Sequence, residues 1–144
     1  MAFCLWLFFL IAVIDGKTQG IPDALNLPLV ALTGFFSWYT GWLDPFSVAI
    51  GVGFLGMQWL ISRGDWVGSG DLILIASMGF LMAPWPKMIA CIFLAYILGS
   101  FIAGTLLLTG IKKRTDALAF APFLVLSTFI MLTYGDVVMR IYGY

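Results

Sequence analysis

The sequence predicts an all-α integral membrane protein: a bundle of six transmembrane helices forming one domain over residues 1–144. Three observations predict it. Hydrophobic residues make up 62% of the chain and charged ones 10%, and mean hydropathy is +1.08. That leaves too little polar surface to coat a soluble core of this size. Apolar stretches recur six times, several of them near the ~20 residues that a helix needs to cross about 30 Å of hydrocarbon. The joints between them are short clusters of Gly, Pro and charge, and positive charge gathers in alternate joints.

The expected spans are 2–15, 23–42, 45–62, 71–84, 86–109 and 117–134. The first has no basic flank before it, and the chain stays apolar to its end, so a span is expected and not a cleaved signal peptide. The joint at 16–22 ends in Pro22 and Asp23, which suit a helix start. Asp44-Pro45 makes a tight turn into the third span. Arg63–Gly70 leads into the fourth, Pro84–Lys87 into the fifth and Gly110–Asp116 into the sixth. A short tail, Gly135–Tyr144, is expected to follow. The spans fill the chain, so no soluble appendage is expected.

Charge orients the bundle. Lys17, Arg63, Lys112, Lys113 and Arg114 fall in the first, third and fifth joints, whereas the other side holds only Lys87 and Arg140. The positive-inside rule makes the first group cytoplasmic and turns both termini outward. Trp38, Tyr39, Trp42, Trp85, Tyr142 and Tyr144 would then lie at the outer interface, where amphipathic rings anchor.

Composition also excludes chemistry. Net charge is zero, which gives no electrostatic footprint for nucleic acid. There is no His and no Glu, so His-based zinc chemistry and a Ser-His-Asp triad are ruled out. Cys4 and Cys91 stand alone in apolar runs and read as small buried hydrophobes. No metal and no cofactor are expected.

Seven Asp residues supply all the acid. Asp23 and Asp116 suit helix starts, Asp44 a turn, Asp65 a polar loop and Asp136 the tail. Asp15 and Asp71 are different. Ala2–Ile14 puts 13 residues before Asp15, and Leu72–Pro84 puts 13 after Asp71. At ~1.5 Å per residue, each lies roughly 20 Å from the outer boundary. Two carboxylates at one depth on helices of opposite direction can face each other. An acid at such depth is costly and is a functional candidate by default. Two close carboxyls share one proton. One then takes a proton from water while the other donates to a scissile carbonyl. Gly68-Ser69-Gly70 before Asp71 frees the backbone for close approach of another chain, as a cleft for an extended substrate requires. The competing class is a small transporter or ion channel that uses the pair as a cation or proton site.

Gly68-Ser69-Gly70-Asp71 resembles the signature of the Gly-x-Gly-Asp membrane aspartyl proteases. Asp15-Gly-Lys-Thr-Gln-Gly-Ile-Pro-Asp23 followed by Ala-Leu-Asn-Leu-Pro resembles the first catalytic segment of the prepilin peptidases, or type 4 leader peptidases. Asp71-Leu-Ile-Leu-Ile-Ala-Ser-Met-Gly79 resembles their second segment. Ala121-Pro122-Phe123-Leu124 resembles their Pro-Phe-Gly-Pro-Phe-Leu segment. The resemblance implies that Asp15 and Asp71 are the catalytic acids. It implies prepilin or pseudopilin substrates, whose basic leader is cut after Gly at the cytoplasmic face. It also implies a bacterial or archaeal plasma membrane. Ile73 stands where many members have Lys, so no role attaches to that position. Only 14 residues precede Asp15, so the chain resembles the short members that lack the cytoplasmic Cys-x-x-Cys region and methyl transfer. Presenilin-type relatives are longer and place Tyr before the first Asp, where this chain has Ile14. A basic leader would favour nearby acids, and Asp23 or Asp65 is expected to contact it.

Overall fold

The computed structural model describes residues 2–111 and 118–141. Six α-helices make it up: α1 (Ala2–Thr18), α2 (Asp23–Thr40), α3 (Pro45–Ser62), α4 (Ser69–Leu81), α5 (Trp85–Leu108) and α6 (Ala121–Ile141). The helix count matches the six apolar stretches of the sequence, though not every helix has the length of a span. Three are long and apolar enough to cross a membrane by length and composition, namely Pro45–Ser62, Trp85–Leu108 and Ala121–Arg140. α4 has only 13 residues.

Local chemistry sets the ends. Asp44 caps α3 by accepting from the Phe46 amide at 3.0 Å, and Pro45 follows at the first helical position, where its missing N–H costs nothing. α2 stops at Gly41, which takes the left-handed conformation at φ 71°. The Trp42 amide then reaches back to the Ser37 carbonyl and the Gly41 amide to Trp38, satisfying carbonyls that the helix end strands.

Four ends differ from expectation by three residues or more, among them α4, which stops at Leu81 and not at 84, and α6, which starts at Ala121 and not at 117. α1 runs through Gly16 to Thr18, so Asp15 sits within its last turn. The Gln19 amide donates to the Asp15 carbonyl at 2.8 Å, and the chain turns at Gln19 with φ 55°. α6 runs through Gly135 to Ile141, so Asp136 is helical and not in a tail. Lys87 of α5 packs beside Gly135 and pairs with Asp136, which ties that last part of α6 to the bundle. Lys112, Lys113, Arg114, Asp116, Tyr142 and Tyr144 lie outside the described residues.

α4 is the centre of the bundle. It packs on α2 and α3 and also meets α5 and α6, and Leu74, Ile75 and Met78 are fully buried. Its approach to α3 depends on Gly79, where a Cβ would stand 2.7 Å from Val48 Cα. Ser47 of α3 donates to the Met82 carbonyl at 2.8 Å, just past the end of α4. Cys4 and Cys91 are buried free thiols, as expected of small core residues. The outer surface carries Phe3, Trp6, Phe9, Phe35, Trp38, Phe93 and Phe101, all more than half exposed. A water-facing monomer does not show so much contiguous apolar surface, and a lipid-facing one does.

The joints gather at two ends. One end brings Trp42, Asp44, Pro84, Lys87 and Asp136 around a cavity of ≈ 430 Å³. The other brings the α1–α2 joint, the α3–α4 joint and residues 118–120 around a second cavity.

Candidate active site

The second cavity measures ≈ 380 Å³, and both Asp15 and Asp71 line it. Asp15 reaches it from the last turn of α1 and Asp71 from the first turn of α4. Opposite helix directions bring the two carboxyls to the same end, and Asp15 is close enough for its charge to act on Asp71.

Each carboxyl is held differently. Asp15 is 5% exposed, and its Oδ2 accepts from the Ala121 amide at 3.1 Å. Ala121 is the first residue of α6, where the helix leaves N–H groups without an internal partner. The N-terminus of one helix thus supports the acid at the C-terminus of another. Asp71 is half-buried, its amide donates to the Gly68 carbonyl at 3.1 Å, and its Oδ1 is buried without a protein partner among the described residues.

The glycines have separate reasons. A Cβ on Gly68 would stand 3.6 Å from Asp71 Oδ2, so a larger side chain there would crowd the carboxyl. A Cβ on Gly70 would stand 2.9 Å from Ile21 Cβ, closer than real Cβ contacts allow. Gly70 is therefore the point where the α1–α2 joint closes on α4.

Of the other acids, Asp65 lines the cavity, while Asp23 is exposed on the first turn of α2 and is not part of the wall. Asp15, Asp65 and Asp71 all line this space, and no Lys or Arg is among its described lining residues.

Three features of the surroundings were not singled out from sequence. One is the Ala121 amide on Asp15, a backbone contact between the two ends of the chain that residue types cannot signal. Another is the Phe120 wall. Tyr96 of α5 packs edge-on against Phe120 with ring centroids 5.0 Å apart, and its hydroxyl donates to Gln58 Oε1 of α3 at 2.8 Å. The last is Asn26, fully buried on α2, whose Nδ2 donates to the Gly70 carbonyl at 2.7 Å. Its signal was available: a lone amide between Leu25 and Leu27 in an apolar run.

Chemically, two carboxyls around one small space can act as a general base and a general acid on a shared water and substrate.

Comparison with known proteins points to one family. The model of the type IV leader peptidase family matches residues 1–104. A prepilin leader peptidase/N-methyltransferase of Bacillus subtilis (strain 168) is 31% identical over 144 residues, covering 94% of this chain and 56% of that protein. One of Escherichia coli (strain K12) is 32% identical over 135 residues, covering 86% and 58%. One of Aeromonas hydrophila is 26% identical over 145 residues, covering 95% and 50%. The chain spans about half the length of these curated relatives. No solved structure matches it significantly.

Proposed function

We propose that this chain, which belongs to the type IV leader peptidase family, is a membrane aspartyl endopeptidase that removes the basic leader from prepilin-like or pseudopilin precursors. The observation that carries the reading is the meeting of Asp15 and Asp71, from separate helices, in one cavity. Their roles follow from their surroundings. The Ala121 amide engages Asp15 Oδ2, which leaves the other oxygen to take a proton from water. Asp71 Oδ1 has no protein partner among the described residues and can present a proton to the scissile carbonyl. Both steps need only the one proton that a close pair shares.

The full reading has six spans in a bacterial or archaeal plasma membrane, termini outward and the dyad near the cytoplasmic face. Two things support it: the alternation of joints between the two ends, and the Lys/Arg asymmetry of those joints. Of the possible leader contacts, Asp65 stands on the cavity wall, and Asp23 offers an exposed charge on α2. The proposal concerns the peptidase step alone.

The test is cleavage of a prepilin-like peptide by the purified chain in detergent, beside ion flux through the chain in liposomes. Cleavage without flux is expected. Flux without cleavage would overturn the peptidase reading in favour of a transporter. Orientation is tested with a membrane-impermeant maleimide on intact cells. Leu43→Cys is expected to label and Arg63→Cys is not; the reverse pattern would invert the topology.

A further inference from the structure

The α1–α2 joint and the start of α2 converge on a single residue of α4. Ile21 closes on the Gly70 Cα, and Asn26 Nδ2 donates to the Gly70 carbonyl at 2.7 Å. That carbonyl belongs to the peptide plane that joins Gly70 to Asp71. The N–H of the same plane, the Asp71 amide, donates to the Gly68 carbonyl at 3.1 Å. The plane is therefore held at both of its polar atoms. A peptide plane so held has little freedom to swing, and together with the helical φ of Asp71 in α4 it sets the Cα–Cβ direction of that residue.

Burial sharpens the point. Asn26 is fully buried, and its Oδ1 has no partner among the described residues. A buried acceptor without a partner is destabilising, and an apolar side chain of the same branched outline would carry no such cost. Packing alone thus favours an apolar residue here. The donor to Gly70 is what Asn26 adds.

We propose that Asn26 is a positioning residue for the aspartyl centre: by pinning the Gly70–Asp71 peptide plane, it sets the direction in which the Asp71 carboxyl enters the cavity. This rests on Asp71 being one of the two catalytic acids. Asn26 itself does not line the cavity, so it acts through Asp71 and not on substrate.

The experiment uses the full chain in detergent and a synthetic peptide with a basic leader ending in Gly and an apolar segment after it. Asn26→Leu removes the donor and keeps the branched four-atom outline, with some added bulk. It is expected to lower kcat about 10- to 100-fold, as small misplacements of a reacting group do, with KM changed no more than about two-fold. Asn26→Asp supplies the donor only while protonated. Its kcat relative to wild type is therefore expected to fall as pH rises, beyond whatever profile the wild type shows. Turnover is counted per folded molecule at each pH, because an ionised buried carboxylate also destabilises the fold, and a packing role would not move the ratio so counted. Asn26→Leu turnover within about two-fold of wild type, or an Asn26→Asp ratio flat with pH, would overturn the proposal. Where Asn26→Leu fails to fold, the Asn26→Asp ratio decides alone. Asp71→Asn is run in parallel. An inactive Asp71→Asn beside a normal Asn26→Leu removes the positioning role and leaves the dyad standing. An active Asp71→Asn removes both.

Discussion

The two ends of the bundle treat acidic side chains in opposite ways. At the end that holds the α2–α3 and α4–α5 joints, each described acid has a local answer. Asp44 accepts from the Phe46 amide as a helix cap, and Asp136 pairs with Lys87. At the other end, Asp15, Asp65 and Asp71 face one cavity with no Lys or Arg on its described wall. One buried oxygen there, Asp71 Oδ1, has no protein partner among the described residues. Structure-building acids are normally satisfied where they stand, because an unpaired buried carboxyl is expensive. The difference teaches that position and partner, not residue type, separate the Asp residues proposed to act on substrate from the architectural ones.

The largest expected effect lies with the dyad. Asp15→Asn and Asp71→Asn should each abolish cleavage of a prepilin-like peptide, with expression and membrane insertion preserved. Groups that act as one unit are strongly non-additive, so the double variant should be no worse than either single one. Near-normal turnover by either single variant would erase the contrast between the two ends.

Two glycines of α4 test the same contrast more finely. A Cβ at Gly70 meets Ile21 Cβ at 2.9 Å beside the cavity; a Cβ at Gly79 meets the Val48 backbone at 2.7 Å far along the helix. Overpacking of this kind costs about 1–3 kcal/mol in either place. Gly70→Ala should also shift Asp71 and lower activity per folded molecule by roughly 10-fold or more, whereas Gly79→Ala should spare it. Thermal unfolding in detergent and specific activity, measured on the same samples, separate these outcomes. Equal losses of activity would mean that α4 responds as one rigid body.

Much of this was legible in the sequence because it is written in long patterns. Six apolar runs became six helices, and Asp15 and Asp71, counted from opposite ends of their spans, reached the same cavity. Local punctuation was less reliable. Gly16 and Gly135 read as breaks, yet both helices run through them, because a single helical glycine costs only about 1 kcal/mol and packing or capping offsets it. At Gly135 the offset is visible: Lys87 lies against it and pairs with the next residue. The contacts that hold the dyad were least legible. The Ala121 amide and the Gly70 carbonyl are main-chain groups, identical in every residue. Only the tertiary fold says which of them meets Asp15 or Asn26.

A smaller effect is expected for Asp65. It stands on the cavity wall but is exposed, so solvent screens its attraction for a basic leader. Exposed pairs are worth about 0–1 kcal/mol, which corresponds to at most about a five-fold rise in KM for Asp65→Asn. The rise should appear at low ionic strength and shrink as salt is added, because the Debye length falls to ~8 Å near physiological salt. Unchanged kinetics at low salt would return Asp65 to the class of solvated loop acids.

The smallest effect should come from the opposite end. Asp136 is 79% exposed on its side chain and Lys87 is 16% exposed, so the ion pair has one foot in solvent. Ordering two long side chains in water offsets most of such a pair's attraction, leaving about 0–1 kcal/mol. Asp136→Asn should therefore move the unfolding free energy by no more than that. Added salt should erase the difference. Peptide cleavage should stay at the wild-type level, because no residue of this pair lines the cavity that holds Asp15 and Asp71. The alternative is specific. Lys87 also packs against Gly135, so the pair could hold the last turns of α6 in place and, through the helix, the Ala121 amide that engages Asp15. In that case Asp136→Asn would slow turnover without shifting stability. The distance argues against it, since Ala121 and Asp136 stand about 22 Å apart along the helix axis at ~1.5 Å per residue. Over that length α6 is already fixed by its buried face, including Leu124, Val125 and Met131. A cleavage assay on Asp136→Asn beside its thermal unfolding decides between the two, and a loss of turnover there would join two ends that the structure keeps apart.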